Sequence, residues 1–532
     1  MAANPMTQFE VYRIGPEIKI GAFDISFTNA SLFMVVSTLA ILIIFNLGSK
    51  KNSILPNKLQ LLAELSYSFV SKMIGDTAGS KARPYFAFIF SLFISSSAIS
   101  ETLEEALTLA YEKNPIIKGE RSSLRSLDED VSSASSRFFP SLSISTSYGE
   151  SSLNYGEADE IKLQPRVSKI EAKQILFSGG RLINERLKAV NIVEAGRASL
   201  RIVEQEILYS AADDFFNVLK SQKIVELMES NFKILTERLT VTKIQFEVGE
   251  LTLTDVAQSE ARLALAQAKL LEARASLEIS KANYKEIIGS EPNNLIDYKK
   301  NIILPNSINA AILVAEGNSP LLHFAEKNEK SSRYGLASAK SKLSPVISIH
   351  GEYSNSKEVF MRDYNGDSYQ VTGSLSMPIF TGGLSWSNIR KAQEINNRDR
   401  YFVVESKRRL KKQIKTAFAQ YTSSLSKIES TEKQVDANKI ALEGVKIEFE
   451  LGTRTNLDVL DAEREYLDSQ VSRITAKNTS MLSRFFLLLN IGELTPEKLS
   501  LPINSYNPMK NYNKVRNIKI GWKSFKDIKN VD

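Results

Sequence analysis

The sequence holds no cysteine and only two histidines, His323 and His350, among 532 residues. The first absence excludes disulfides, thiolate catalysis, iron–sulfur clusters and cysteine-ligated zinc. The second excludes a histidine-based catalytic triad and a multi-histidine metal centre. No metal or cofactor is expected, and both histidines read as ordinary surface or strand positions. A dominant charge sign is also lacking. The formal net charge is +7, from 68 Lys+Arg against 61 Asp+Glu. Residues 1–100 carry +3 and residues 510–532 carry +5, which leaves the body, 101–509, at −1. A neutral body dense in both signs is a solvated helical surface, so nucleic acid is not an expected partner. The basic end, 503–532, is expected to have no fixed structure.

Long apolar runs are confined to the first hundred residues. Ser31–Leu47 is uncharged and just long enough to cross a bilayer core. Lys50, Lys51 and Lys58 follow it, which places that side in the cytoplasm. A shorter run, Tyr85–Ile94, lies between Lys81/Arg83 and the small residues SSSAIS, the pattern of an export signal cleaved after Ser100. NPMTQFEV, SFTNASLFMVVS and LPNKLQLLAELSYSFVSKMIGD resemble the start of subunit a of F-type ATP synthases over about residues 4–93. The likeness stops before the helices that carry that family's proton path. Residues 1–100 thus read as a fused, truncated membrane and targeting segment, and export begins at Glu101.

The remainder contains one unit twice. Phe177-Ser178-Gly179-Gly180 recurs as Phe380-Thr381-Gly382-Gly383, 203 residues later. Phe246-Glu247-Val248-Gly249 recurs as Phe449-Glu450-Leu451-Gly452, and Asp255-Val256 as Asp458-Val459, at the same spacing. Upstream, Asn114-Pro115 echoes Asn318-Ser319-Pro320, and 139–148 echoes 344–353 at 205. The expected domains are 101–303 and 304–502.

Each unit predicts a helix up to a proline (103–137; 308–343), then strands. Ser141, Ser143, Ser145 and Ser147 alternate with Leu142, Ile144, Thr146 and Tyr148. Val371, Gly373, Leu375, Met377 and Ile379 alternate with Gln370, Thr372, Ser374 and Ser376. Residues 162–176 alternate poorly and are interrupted by Pro165. The Gly-Gly pairs, Gly179/Gly180 and Gly382/Gly383, are strand-to-helix turns. Long helices follow over 181–246 and 384–449, each roughly 100 Å long. Gly249 and Gly452 turn the chain into return helices over 254–289 and 456–491. Four strands cannot close a barrel, and open edges cannot face lipid, so if the strands form a membrane barrel, several copies must share it.

ETLEEALTLAYEKNP, FFPSLSISTSYG, ILFSGGRL, FEVGELTLTDV, PIFTGGL and FELGTRTNLDVLDAEREYLDSQ resemble the TolC-like outer-membrane efflux family over about 101–495. The resemblance implies a mixed α/β membrane protein with four strands per chain. It implies a homotrimer with a transmembrane β-barrel and a long α-helical coiled-coil barrel, the periplasmic tunnel, in the outer membrane of a Gram-negative bacterium. It also implies a passive duct for multidrug efflux or type I secretion. The duct would be served by a periplasmic adaptor and an inner-membrane pump and surrounded by outer-membrane lipid.

Matched residue by residue, Arg454, Asp458 and Asp461 fall on that family's tip arginine and aperture aspartates. Thr254 and Asp255 fall on residues that hold the closed tip. Phe449 replaces a tyrosine of the closing network, and Gly249 and Gly452 lie near adaptor contacts. Asp458 has a second reading, as a residue favoured at its helix N-terminus within the capping pattern Thr455-x-x-Asp458, and Asp255 holds the same place in the first repeat. Asp461 has Gln258 as its repeat counterpart, so no repeated structural role demands it. The alternatives are a fragment of ATP synthase subunit a and a purely structural periplasmic coiled coil.

Overall fold

The computed structural model describes residues 101–154, 160–298, 300, 302–503 and 505–516. It also describes the backbone of a short ladder, β1 (Lys19–Ile20) with β2 (Phe23–Asp24). The expected membrane helix at 31–47 and the signal-like run at 85–94 lie outside the described residues. Among the described residues, no helix is long and apolar enough to cross a membrane.

The chain divides into two compact units, 1–105 with 291–299, and 106–290 with 300–532. In the first, Glu101 is buried. Its backbone N–H donates to the Asn293 carbonyl, and its side chain accepts from the Asn293 N–H at 3.1 Å.

The second unit carries the repeat. Each single helix expected before the strands is instead two. α1 (Leu103–Lys113) breaks before α2 (Pro115–Ser136), and α5 (Ile308–Asn318) before α6 (Pro320–Ser341). Proline has no N–H to donate and disfavours a helical residue before it, so it opens a helix rather than continuing one. Asn114 and Ser319 cap the second helix of each pair.

α3 (Arg181–Glu247) and α7 (Leu384–Glu450) are uninterrupted at 67 residues, and α4 (Leu253–Ile288) and α8 (Asn456–Asn490) return from them. α3 buries Ala189, Val193 and Leu200 against Leu124 and Val131 of α2. Further along it buries Val225 and Met228 against Leu270 and Ala273 of α4, with Leu467 of α8 in the same cluster. Two shorter helices, α2 and α4, thus cover α3 in series.

Side-chain pairs repeat as well as elements. The Ser221 and Ser280 hydroxyls meet at 3.1 Å between α3 and α4; their counterparts 203 residues on, Ser424 and Ser483, meet at 2.9 Å between α7 and α8. Arg121 of α2 pairs with Glu204 of α3 at 3.1 Å, and at the matching positions Glu326 of α6 faces Lys407 of α7 at 4.0 Å, with the signs exchanged.

The strands β3 (Ser141–Tyr148), β6 (Arg166–Phe177), β7 (Val346–Lys357) and β8 (Asn365–Ser376) form one antiparallel sheet in that order. The weak alternation around Pro165 resolves into two strands, β6 and the short β5 (Ile161–Leu163), which pairs with β4 (Ser151–Leu153). β8 stops at Ser376, short of the Ile379 that its alternation predicts.

The basic end is ordered in its first half. Helix α9 (Pro508–Val515) lies on α2, where Asn511 donates 2.8 Å to the buried Asp128 carboxylate and Tyr512 stacks on Arg197. That corrects the expectation of no fixed structure for residues 505–516.

Several carboxyls in this unit are held at a disadvantage when ionised. Burial, then the charges of Asp213 and Glu286, push Asp214 up to about 6. Burial likewise raises Asp128 and Glu204, against their hydrogen-bond partners. A carboxyl whose pKa is higher folded than unfolded binds its proton more tightly when folded. The destabilisation therefore sets in above the ordinary carboxylate range and is complete once pH passes about 6. Asp214→Asn should raise the melting temperature at pH 8, and the gain should shrink toward zero at pH 4. A gain equal at both pH values would disprove this assignment.

Candidate functional site

Two regions carry the candidate function: the tips where the long helices turn, and the sheet.

At each tip the long helix ends in a left-handed glycine, Gly249 (φ +80°) and Gly452 (φ +76°). Gly249 N–H donates to the Phe246 carbonyl and Glu250 N–H to that of Gln245; Gly452 does the same to Phe449, and Thr453 to Glu448. This closes the last helical carbonyls in the way a glycine after the cap allows. The return helices then start on capping boxes. Asp458 N–H donates to Thr455 Oγ1 at 3.2 Å, and Thr455 N–H returns to Asp458 Oδ2 at 2.9 Å. In the first repeat Asp255 does this with Thr252. The two Thr455 bonds hold the Asp458 carboxyl below the usual carboxylate range.

The cap reading of Asp458 and Asp255 therefore describes their geometry. The threonine that serves Asp255 is Thr252, while Thr254 stands exposed in the first turn of α4. Thr252 was legible, since it lies 203 residues before Thr455.

Arg454 pairs with Glu448 of the preceding helix at 2.8 Å. Phe449 is half-buried in the last turn of α7. Asp461 is free of any cap; its half-exposed carboxylate forms an ion pair with Arg262 of α4. Behind it, Glu463 is buried between Arg238 of α3 (3.0 Å) and Lys446 of α7 (3.1 Å). Deeper still, Asn456 donates to Ser259 and Ser259 to Thr242, all three buried. The two helical hairpins are thus joined at their tips by polar contacts. Arg262 and Arg238 were not legible in the sequence. Each lies about 200 residues from its partner, and neither has a like-charged counterpart in the other repeat.

The sheet has two unlike faces. On one stand Leu142, Ile144, Ile170, Ile349, Tyr369 and Val371, from 42% to 84% exposed. On the other stand the serines of β3, then Ser348, Ser374 and a charged group. In that group Lys169 lies 3.3 Å from Glu171 and 3.1 Å from Glu352, with His350 beside Glu352. Glu171, His350 and Glu352 bring possible metal-ligand atoms within 4.8 Å of one another, but both carboxylates there are already paired with the Lys169 ammonium. The turns after β6 and β8 use Gly179, Gly180, Gly382 and Gly383, all at positive φ. Around these turns Phe139, Phe177, Phe380 and Trp386 are exposed.

A family model described as outer membrane efflux protein matches residues 106–290 and 312–483. The outer membrane efflux protein BepC of Brucella suis is 28% identical over 437 residues, covering 82% of this chain and 94% of BepC. The outer membrane channel CmeC of Campylobacter jejuni superposes with a TM-score of 0.69 at 14% identity, covering 78% of this chain and 89% of CmeC. ATP synthase subunit a of Pelagibacter ubique is 83% identical over 94 residues, which is 18% of this chain and spans 38% of that subunit.

Proposed function

Because this chain belongs to the outer membrane efflux protein family, and so forms an outer-membrane duct for tripartite efflux or type I secretion, we propose that three copies build the conduit. Their twelve strands close a transmembrane barrel, and their long helices enclose a periplasmic tunnel. The observation that carries this is the sheet. Its strands of up to twelve residues suit a tilted crossing of the hydrocarbon core. One face is apolar and bare, and its edges, β3 and β8, are unpaired in the single chain. Unpaired backbone groups in hydrocarbon cost several kcal/mol each, so the edges must meet other copies. Twelve strands leave a lumen where eight would be filled by side chains. The exposed aromatics at the Gly-Gly turns suit the membrane–water interface.

The duct is passive. An adaptor would engage the helical tips, and an inner-membrane pump would supply the energy. The tips act as the gate, held shut by contacts that join the two hairpins, with Asp461 the aperture carboxylate and Arg262 its partner. Asp458, Asp255 and Thr252 shape the turns, and Arg454 braces the second turn through Glu448. Gly249 and Gly452 set the angle at which the tips meet an adaptor.

Detergent-extracted protein should be trimeric by light scattering and should form discrete channels in planar bilayers. A monomer without conductance would overturn the duct and favour a purely structural coiled coil.

A further inference from the structure

The two outer strands, β3 and β8, place no charged residue on the polar face of the sheet. The two inner strands gather theirs in one spot: Lys169, Glu171 and Lys173 on β6, with His350 and Glu352 on β7. The repeat shows that the fold does not require them. Their counterparts are Thr372, Ser374 and Ser376, 203 residues on, and Ser145 and Ser147, 205 residues earlier. The same sheet is built at matching places from small hydroxyl side chains.

Within this group two carboxylates face each other. Glu171 and Glu352 are direct cross-strand partners. Like charges so placed destabilise a strand pair unless a cation lies between them. Here the chain supplies its own, because the Lys169 ammonium lies 3.3 Å from Glu171 and 3.1 Å from Glu352. His350 stands two residues before Glu352 and therefore on the same face. Its Nε2 lies 3.7 Å from Glu352 Oε2. The ammonium binds the two carboxylates, whereas a metal ion would also take the imidazole nitrogen.

The candidate ligand atoms of Glu171, His350 and Glu352 all lie within 4.8 Å of one another, and each residue is partly exposed. Four-coordinate zinc, with bonds of about 2.0–2.2 Å, holds its ligand atoms about 3.3–3.6 Å apart. The pair at 3.7 Å is close to that spacing already, and side-chain rotation closes the remaining gaps. The donor set also selects among cations. Calcium and magnesium take shells of oxygen and are poorly served by three side chains with a nitrogen among them. One imidazole with two carboxylates suits zinc or copper(II), with water completing the shell.

We propose that Glu171, His350 and Glu352 bind one zinc-class divalent ion per chain, and that the ion displaces Lys169 from between the carboxylates. Lys169 can withdraw, because a long apolar stem lets the ammonium move into water. Lys173, the cross-strand partner of His350, is exposed and can do the same. In the three-copy conduit the apolar face meets lipid and this face turns inward, so the ion would sit on the wall of the path. All three ligands belong to one chain, so the site itself stands apart from the number of copies.

The full chain, purified in detergent and stripped with a chelator, should bind Zn2+ at one ion per chain in a calorimetric titration at neutral pH, where the imidazole is free to bind. His350→Gln and Glu352→Gln should each weaken binding about tenfold or more, and Lys169→Met should strengthen it about tenfold, because no ammonium then competes. With Cu2+ in place of zinc, electron paramagnetic resonance should show hyperfine splitting from one imidazole nitrogen. The chain has only two histidines and no cysteine, so the signal is assignable: His350→Gln should remove it and His323→Gln should keep it. No saturable binding to the parent would overturn the site, and so would equal affinity in the parent and His350→Gln. A chain that binds zinc as a monomer would keep the site and overturn the duct; a conducting trimer that binds no zinc would do the reverse.

Discussion

Channels carrying Asp461→Asn are expected to lose most of their block by trivalent cations, with the blocking affinity falling about a hundredfold. Asp458 is already committed to its capping box, where Thr455 supplies two bonds to one carboxylate oxygen. Asp461 lies one helical turn further, half exposed, and serves no cap. In the proposed trimer three such carboxylates converge on the axis. If each contributes about 1 kcal/mol to a bound trivalent ion in a hydrated mouth, their loss together is about 3 kcal/mol, or about a hundredfold in affinity. Arg262 gives a change of opposite sign. Its guanidinium now neutralises Asp461, so Arg262→Ala should strengthen block, and it should raise open probability because a contact between the hairpins is gone. Asp458→Asn should leave block nearly unchanged while weakening the capping box. Single-channel recordings on the three variants decide the matter: equal block in Asp461→Asn and the parent would remove Asp461 from the gate.

The second large effect concerns folding. Gly492→Ala should destabilise the protein by about 3 kcal/mol, whereas Gly289→Ala, at the matching place in the first repeat, should cost only about 1 kcal/mol. Both glycines are left-handed, and a side chain in that region costs roughly 1–2 kcal/mol. Only at Gly492 does the chain close over the site. A methyl there would lie 2.6 Å from the Asn318 carbonyl oxygen and 2.8 Å from its carbon, whereas nothing lies within 4 Å of one at Gly289. The obstacle is backbone, pinned by the Ser319 cap of α6, so it cannot rotate away as a side chain would, and overpacking adds roughly 1–3 kcal/mol. Melting curves by circular dichroism should place Gly492→Ala well below Gly289→Ala; coincident curves would refute the argument.

The repeat made much of the fold readable, because turn glycines, strand alternation and uninterrupted helices are local signals that appeared twice. The break at Asn114-Pro115 was in view as a repeated motif, yet its consequence was missed, since the apolar spacing continues across it. Strand β8 was read to Ile379 but ends at Ser376, where the single chain offers no partner for the next residues. The candidate gate was half readable. Asp458 carried its own cap signature, and Asp461 stood out by lacking a repeated partner. Arg262, Arg238 and the Thr242–Ser259–Asn456 chain were not readable, because they exist only where two distant helices meet and occur once each.

The exchanged charges of Arg121–Glu204 and Glu326–Lys407 bear on how a duplicated chain avoids folding onto itself wrongly. Two units of like shape compete for the same partners while the chain is still finding its structure, and mispairing is a characteristic failure of repeat proteins. Here a swap of α2 and α6 would set Arg121 against Lys407 and Glu326 against Glu204, like against like at both sites. At this height each long helix therefore favours its own short partner, and the sign reversal works as proofreading between two halves of like shape.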